Sequence, residues 1–163
     1  SAHYWNIAED IAVDTALKNS FNIKTAEIDI KLAEIDKKLK NIDSAEIDIK
    51  IAEINLAQAE IKKEDIQDEL IRQVKSAYLN LKQRKSSIVL EKERFDKTER
   101  EFKQVKREFE LGSTARTAVL QYEAEFFRQQ YQYQNAVLNY CLAAEELADL
   151  LNLEPGVMIN AEN

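Results

Sequence analysis

The sequence predicts an all-α fold of elongated antiparallel coiled-coil hairpins, and three observations lead there. Glycine occurs twice and proline once in 163 residues, too few breakers for the turns of a sheet protein. Val74, Leu81, Ile88, Phe95, Phe102 and Phe109 recur at a strict interval of seven. Leu70, Ala77 and Val105 fill part of the companion row, the mark of a helix supercoiled left-handedly on a partner. The run breaks at Gly112, beyond which a second heptad pattern carries the chain back. The expectation is a single elongated helical domain over residues 1–163, with helices near 7–18, 23–42, 44–110 and 114–152.

Residues 1–6 read as a frayed lead-in holding His3, the sole histidine. Asn6 is placed to cap the first helix, with Glu9 and Asp10 in its opening turn, where the helix dipole favours anions. The cluster Asn19-Ser20-Phe21-Asn22 then interrupts it. In the second helix Ile28, Ile35 and Ile42 lie seven apart, and Leu32 and Leu39 complete the stripe.

A near-duplicate follows. Thr25–Ile35 recurs as Ser44–Ile54, with nine of eleven positions identical at an offset of nineteen. Nineteen is not a multiple of seven, so one seam cannot run through both copies without a stutter. Asp43 and Glu46 have capping-box spacing. Both features predict a chain reversal at 41–45, with one continuous helix as the alternative. The third helix then spans ~100 Å at 1.5 Å per residue. Within it, residues 82–101 hold four apolar side chains, Ile88, Val89, Leu90 and Phe95. So thin a seam suits a helix with water on most sides. Thr114 is placed to cap the fourth helix, where Val119, Phe126, Tyr133, Tyr140 and Leu147 form one row. Leu120 and Phe127 widen that row, while Ala124, Tyr131 and Leu138 face elsewhere, a breadth that predicts more than one neighbour. Pro155-Gly156 is expected to end this helix.

The net charge of −7 argues against nucleic acid, since nothing offsets phosphate repulsion. Basic clusters such as Lys82-Gln83-Arg84-Lys85 are followed by acidic residues and read as a solvated face. No apolar run approaches the ~20 residues of a membrane-spanning helix. Cys141 is the single cysteine. It has no histidine on its helix to activate it. Glu-x-x-His pairs and Gly-rich phosphate loops are absent, and carboxylates with lysines at helical spacing read as i,i+4 pairing. No catalytic residue, metal ligand or cofactor is assigned, and an enzyme is not expected.

Three segments, in order, resemble one repeat of the TolC-like outer-membrane efflux protein family. Asp10–Phe21 is similar to its opening short helix and the break after it. Val74-Lys-Ser-Ala-Tyr-Leu-Asn-Leu81 resembles its Val-x-x-Ala-Tyr-x-x-Leu stretch. Phe109-Glu-Leu-Gly-Ser-Thr114, followed by Val119-Leu120, Asn135-Ala136, Asn139-Tyr140 and Leu147, resembles its turn and returning helix. The resemblance covers about residues 7–153.

It implies a helical tunnel unit of an export channel for small molecules or proteins, type I secretion included. It also implies a location in the periplasm or at the outer membrane. A periplasmic adaptor of an inner-membrane pump would dock at the glycine turn, so Leu111, Gly112, Ser113 and Thr114 inherit that role. Self-association through helix faces is implied too, weak in isolation. Two features depart from the family pattern. Barrel strands, which the family places near Asn41–Ser44, have no counterpart here, and one repeat is present where the family usually has two. Direct membrane insertion by this stretch is therefore not expected. Thr117 also stands where an acidic residue often precedes the Val-Leu pair. The competing reading is a structural coiled-coil rod or partner-binding spacer. It accounts for the heptads but not for the order of the three segments. A curved membrane-binding dimer would need a basic concave face, against the charge balance.

Overall fold

The computed structural model describes residues 7–43 and 45–153, apart from the Asp43 side chain. Four helices follow one another: α1 (Glu9–Asn19), α2 (Phe21–Asp43), α3 (Glu46–Glu110) and α4 (Arg116–Leu150). The described residues contain no strand, so the fold over them is all-α, without barrel strands. They divide into two compact units, one of residues 79–146 and the other of residues 7–78 with 147–153.

In the second of these units, α1 buries Ala12 and Ala16, four residues apart on one face. Glu9 and Asp10 occupy its first turn as the dipole favours. Ala8 stands at its N-cap without a side-chain bond; Asn6, expected there, lies outside the described residues, as does His3. The interruption foreseen over four residues narrows to one. Ser20 leaves the helix at ψ 120°, and its hydroxyl accepts the N–H of Ile23 at 3.3 Å. Ser20 is thus the N-cap of α2, satisfying one of the orphan donors of a helix start. Asn19 Nδ2 donates to the carbonyl of Leu151 at 3.0 Å, tying α1 to the segment that follows α4.

Three ion pairs mark the register of α2 on α3. Glu27 meets Lys63 at 3.0 Å, Asp29 meets Lys62 at 3.8 Å and Lys37 meets Glu53 at 3.2 Å. Partners on α3 fall in number as those on α2 rise, so the helices are antiparallel and the chain reverses between α2 and α3. Exposed pairs of this kind contribute about 0–1 kcal/mol each; they record the register more than they hold it. The capping box expected at the reversal pairs Asp43 with Glu46, and its Asp43 half falls outside the described residues. The carbonyl of Ala45 accepts the N–H groups of Asp48 and Ile49, which makes Ala45 the cap. Glu46 reaches forward to Lys50 at 2.6 Å. The side chain of Asp43 lies outside the described residues.

The packed face of α2 is not the expected isoleucine–leucine stripe. Ile23 and Ala26 are buried, Ile30, Ala33 and Lys37 are half-buried, and Ile28, Leu32, Ile35, Leu39 and Ile42 are exposed. On α3 the matching row is Ile49, Ala52, Leu56, Ala59 and Lys63. Small residues win this seam because helix separation follows side-chain size at the contact, so alanine lets the helices approach.

In the unit of residues 79–146, α3 and α4 are also antiparallel. Phe95 stacks on Tyr133 with ring centroids 5.9 Å apart, while Phe102, seven residues on, stacks on Phe126, seven residues back, at 5.4 Å. The α3 heptad row loosens toward the turn: Leu81 and Ile88 are buried, Phe95 and Phe102 half-buried and Phe109 exposed. The thin stretch expected at 82–101 is closed from the α4 side by aromatic rings and by Gln129, which is buried.

Candidate functional site

The α3–α4 turn begins as a helix end that must satisfy its own carbonyls. Gly112 takes φ +75°, a left-handed conformation that costs L-residues ~1–2 kcal/mol and glycine little. Its N–H donates to the carbonyl of Phe109 at 2.9 Å, and the N–H of Ser113 donates to that of Glu108 at 2.8 Å. These two bonds are the Schellman motif, with Gly112 as the first residue past the cap. The Ser113 hydroxyl adds a 2.7 Å bond to the same Glu108 carbonyl. A side chain at residue 112 would find open space, with nothing within 4 Å of a Cβ.

The four residues expected to form the tip are contiguous here, though not alike. Leu111 is 83% exposed, an apolar side chain standing in solvent. Gly112 and Ser113 are exposed, and Thr114 is half-buried. Thr114 is not the cap of α4. The carbonyl of Ala115 accepts the first helical N–H groups, from Ala118 at 3.0 Å and Val119 at 3.5 Å, so the cap falls one residue later. The far end of α4 repeats the motif. Asn152 has φ 49°, its N–H donates to Asp149, and the Leu153 N–H donates to Ala148. That helix therefore ends at Leu150, ahead of Pro155 and Gly156, which lie outside the described residues.

No group of three or more His, Cys, Asp and Glu side chains among the described residues could hold a metal ion. Cys141 is exposed. A groove of about 250 Å³ between α3 and α4, lined by Arg84, Arg94, Asn135 and Asn139 among others, is open and polar and holds no nucleophile with a base. No helix among the described residues is long and apolar enough to cross a membrane.

Residues 38–153 match the Outer membrane efflux protein family, over most of the chain and through the whole of the α3–α4 turn. The chain belongs to this family. No curated protein matches it. Membership in the efflux family suggests a transport role outside the cytoplasm.

Two features of this efflux-family chain are not apparent from heptad counting alone. One is the aromatic cluster centred on Phe126, whose ring lies within 5.5 Å of those of Phe95, Phe102 and Phe127. The other is the outward direction of the isoleucine–leucine stripes. Their signal was the alanine recurring at the same place in both copies of the duplicated segment, Ala26 and Ala33 in one, Ala45 and Ala52 in the other.

Proposed function

We propose that this chain is a helical tunnel-type repeat of a periplasmic export channel. Its α3–α4 turn is the docking point for the adaptor of an inner-membrane pump. The observation that carries the reading is the family match running through a turn that holds an apolar side chain, Leu111, out in solvent. Leu111 sits on a backbone fixed by the Schellman bonds, so it can enter a partner's groove without first being ordered, a saving in binding free energy. Leu111, Gly112, Ser113 and Thr114 form the contact. The exported cargo is a small molecule or protein passing through a tunnel of assembled copies. Transport needs no cofactor from this chain.

The test is crosslinking to the adaptor encoded beside the channel gene, comparing wild type with Leu111→Asp and Gly112→Val. Both substitutions are expected to cut capture at least tenfold while helix content by circular dichroism stays near wild type. Undiminished capture by both variants overturns the docking assignment and leaves the fold intact. The rod or spacer reading predicts no adaptor capture at all.

A further inference from the structure

Part of α3 carries charge opposite in sign to that of the chain. Against a net charge of −7, residues 70–90 hold five lysines and arginines and no acid. On α4, residues 129–144 hold six asparagine and glutamine side chains and no charged group. The groove of about 250 Å³ lies between these helices, within the unit of residues 79–146. Its α3 wall is Arg84, Ser87, Glu91 and Arg94, at intervals of three and four and so on one helix face. Its α4 wall is Gln132, Asn135, Ala136 and Asn139, again one face. Ala136 has the shortest side chain of the eight and leaves the space that the others border.

The charges in the groove are not equivalent. Glu91 is held inside the protein, by Arg94 at 2.8 Å and Gln129 at 2.7 Å, and Arg94 is occupied with it. Arg84 makes no ion pair among the described residues. Its Nε donates to the amide oxygen of Asn80 at 3.2 Å, which holds the guanidinium plane and leaves the terminal nitrogens for a ligand. The walls therefore carry one uncompensated positive charge among neutral hydroxyl and amide groups. Because α3 and α4 are antiparallel, Asn139 lies nearer the Arg84 end of the groove than Gln132 does.

We propose that this groove binds a monomeric sugar acid, with its carboxylate on Arg84 and its hydroxyls on Ser87, Asn139 and Asn135. The guanidinium fork matches a carboxylate in two parallel hydrogen bonds. A side-chain amide donates and accepts at once, as a sugar hydroxyl does. The volume falls below the ~300–1,000 Å³ of pockets for drug-sized ligands, which suits a single ring. Ala136 is the one apolar residue in the lining, so an apolar ligand would bury little surface and gain little from it. The site lies apart from the α3–α4 turn and does not rest on what docks there.

Titration of the isotope-labelled chain with D-glucuronate at low salt, followed by NMR of the side-chain amides, tests the site. The signals of Asn135 and Asn139 are expected to move with a millimolar dissociation constant, as an open groove allows. D-Glucose lacks the charge and acetate lacks the hydroxyls, and each is expected to bind about tenfold more weakly. Arg84→Gln should weaken glucuronate about tenfold through loss of the charge-assisted bonds. Asn135→Leu keeps the charge and should bring glucuronate down to the level of acetate. Both residues are exposed, so neither substitution threatens the fold. Acetate binding as tightly as glucuronate would reduce the groove to a patch of charge and overturn the proposal. So would amide signals that stay in place at tens of millimolar glucuronate, or binding that survives Arg84→Gln undiminished.

Discussion

Gln129 on α4 donates its side-chain amide to the Glu91 carboxylate on α3 at 2.7 Å, a bond made where the α3 heptad seam is poorest in apolar side chains. The other Glu91 oxygen is held by Arg94 at 2.8 Å, so the carboxylate is anchored within its own helix and presented to the neighbour. A hydrogen bond to a charged group contributes roughly 1.5–3 kcal/mol, more than a neutral one. Replacing Gln129 by alanine is expected to cost about that much and by glutamate more, since two carboxylates would then face each other. Glu91→Gln, which still lets amide meet amide, should cost less than Glu91→Ala. Urea unfolding of the four variants checks the order.

At the α3–α4 turn the cost of a side chain is conformational, because the space beside Gly112 is open. Alanine there is expected to destabilise by ~1 kcal/mol, asparagine by less and valine by the most. The other Schellman turn supplies the control, since Asn152 already holds a positive φ. Asn152→Gly should be near neutral and Asn152→Val should destabilise, in thermal unfolding measured for both series.

Ser20 offers a separate test in the unit it belongs to. Its hydroxyl is the only side-chain cap on the α2 N-terminus among the described residues, and its loss as Ser20→Ala is expected to cost ~1 kcal/mol. Ser20→Asp should keep the bond, although burial at this position works against a charge. Thermal midpoints in the order wild type, aspartate, alanine would agree with the cap outweighing burial.

Helix number, the reversal between α2 and α3 and the glycine turn were all legible in the sequence, because breakers and heptad rows act locally. What misled was the choice of face. Two rows on α2 satisfy a four-three spacing, and the larger side chains of Ile28, Leu32 and Ile35 made theirs the more conspicuous. Ala26 and Ala33 face α3 instead, a preference set by how closely two helices can approach, which one strand of sequence does not display. Caps were misplaced by one or two residues at Ala45 and Ala115 for a similar reason. Alanine contributes no side-chain bond, so nothing marks it as a cap. At the tip, the residues were legible as a turn, while the exposure of Leu111 required the fold.

Glu27 carries a pH dependence whose sign follows from its surroundings. The hydrogen bond and charge of Lys63 across the α2–α3 seam lower its pKa below the usual glutamate value; desolvation opposes this, and the charges of Lys31 and Lys24 add to the lowering. A carboxyl with a depressed folded-state pKa stabilises the fold fully above its unfolded value of ~4.3, and that stabilisation is lost as pH falls through the lower folded value. Glu27 is exposed to solvent, so screening keeps the effect small and salt weakens it further. The difference in thermal midpoint between wild type and Glu27→Gln isolates it from the other carboxylates, which titrate in both proteins. At low ionic strength that difference should favour wild type at pH 7, hold down to about pH 5 and shrink toward zero below pH 4. Lys63→Met should abolish most of the pH dependence of the difference. A gap that widens on acidification would reverse the sign and remove the Glu27–Lys63 pair as a stabilising contact of the hairpin.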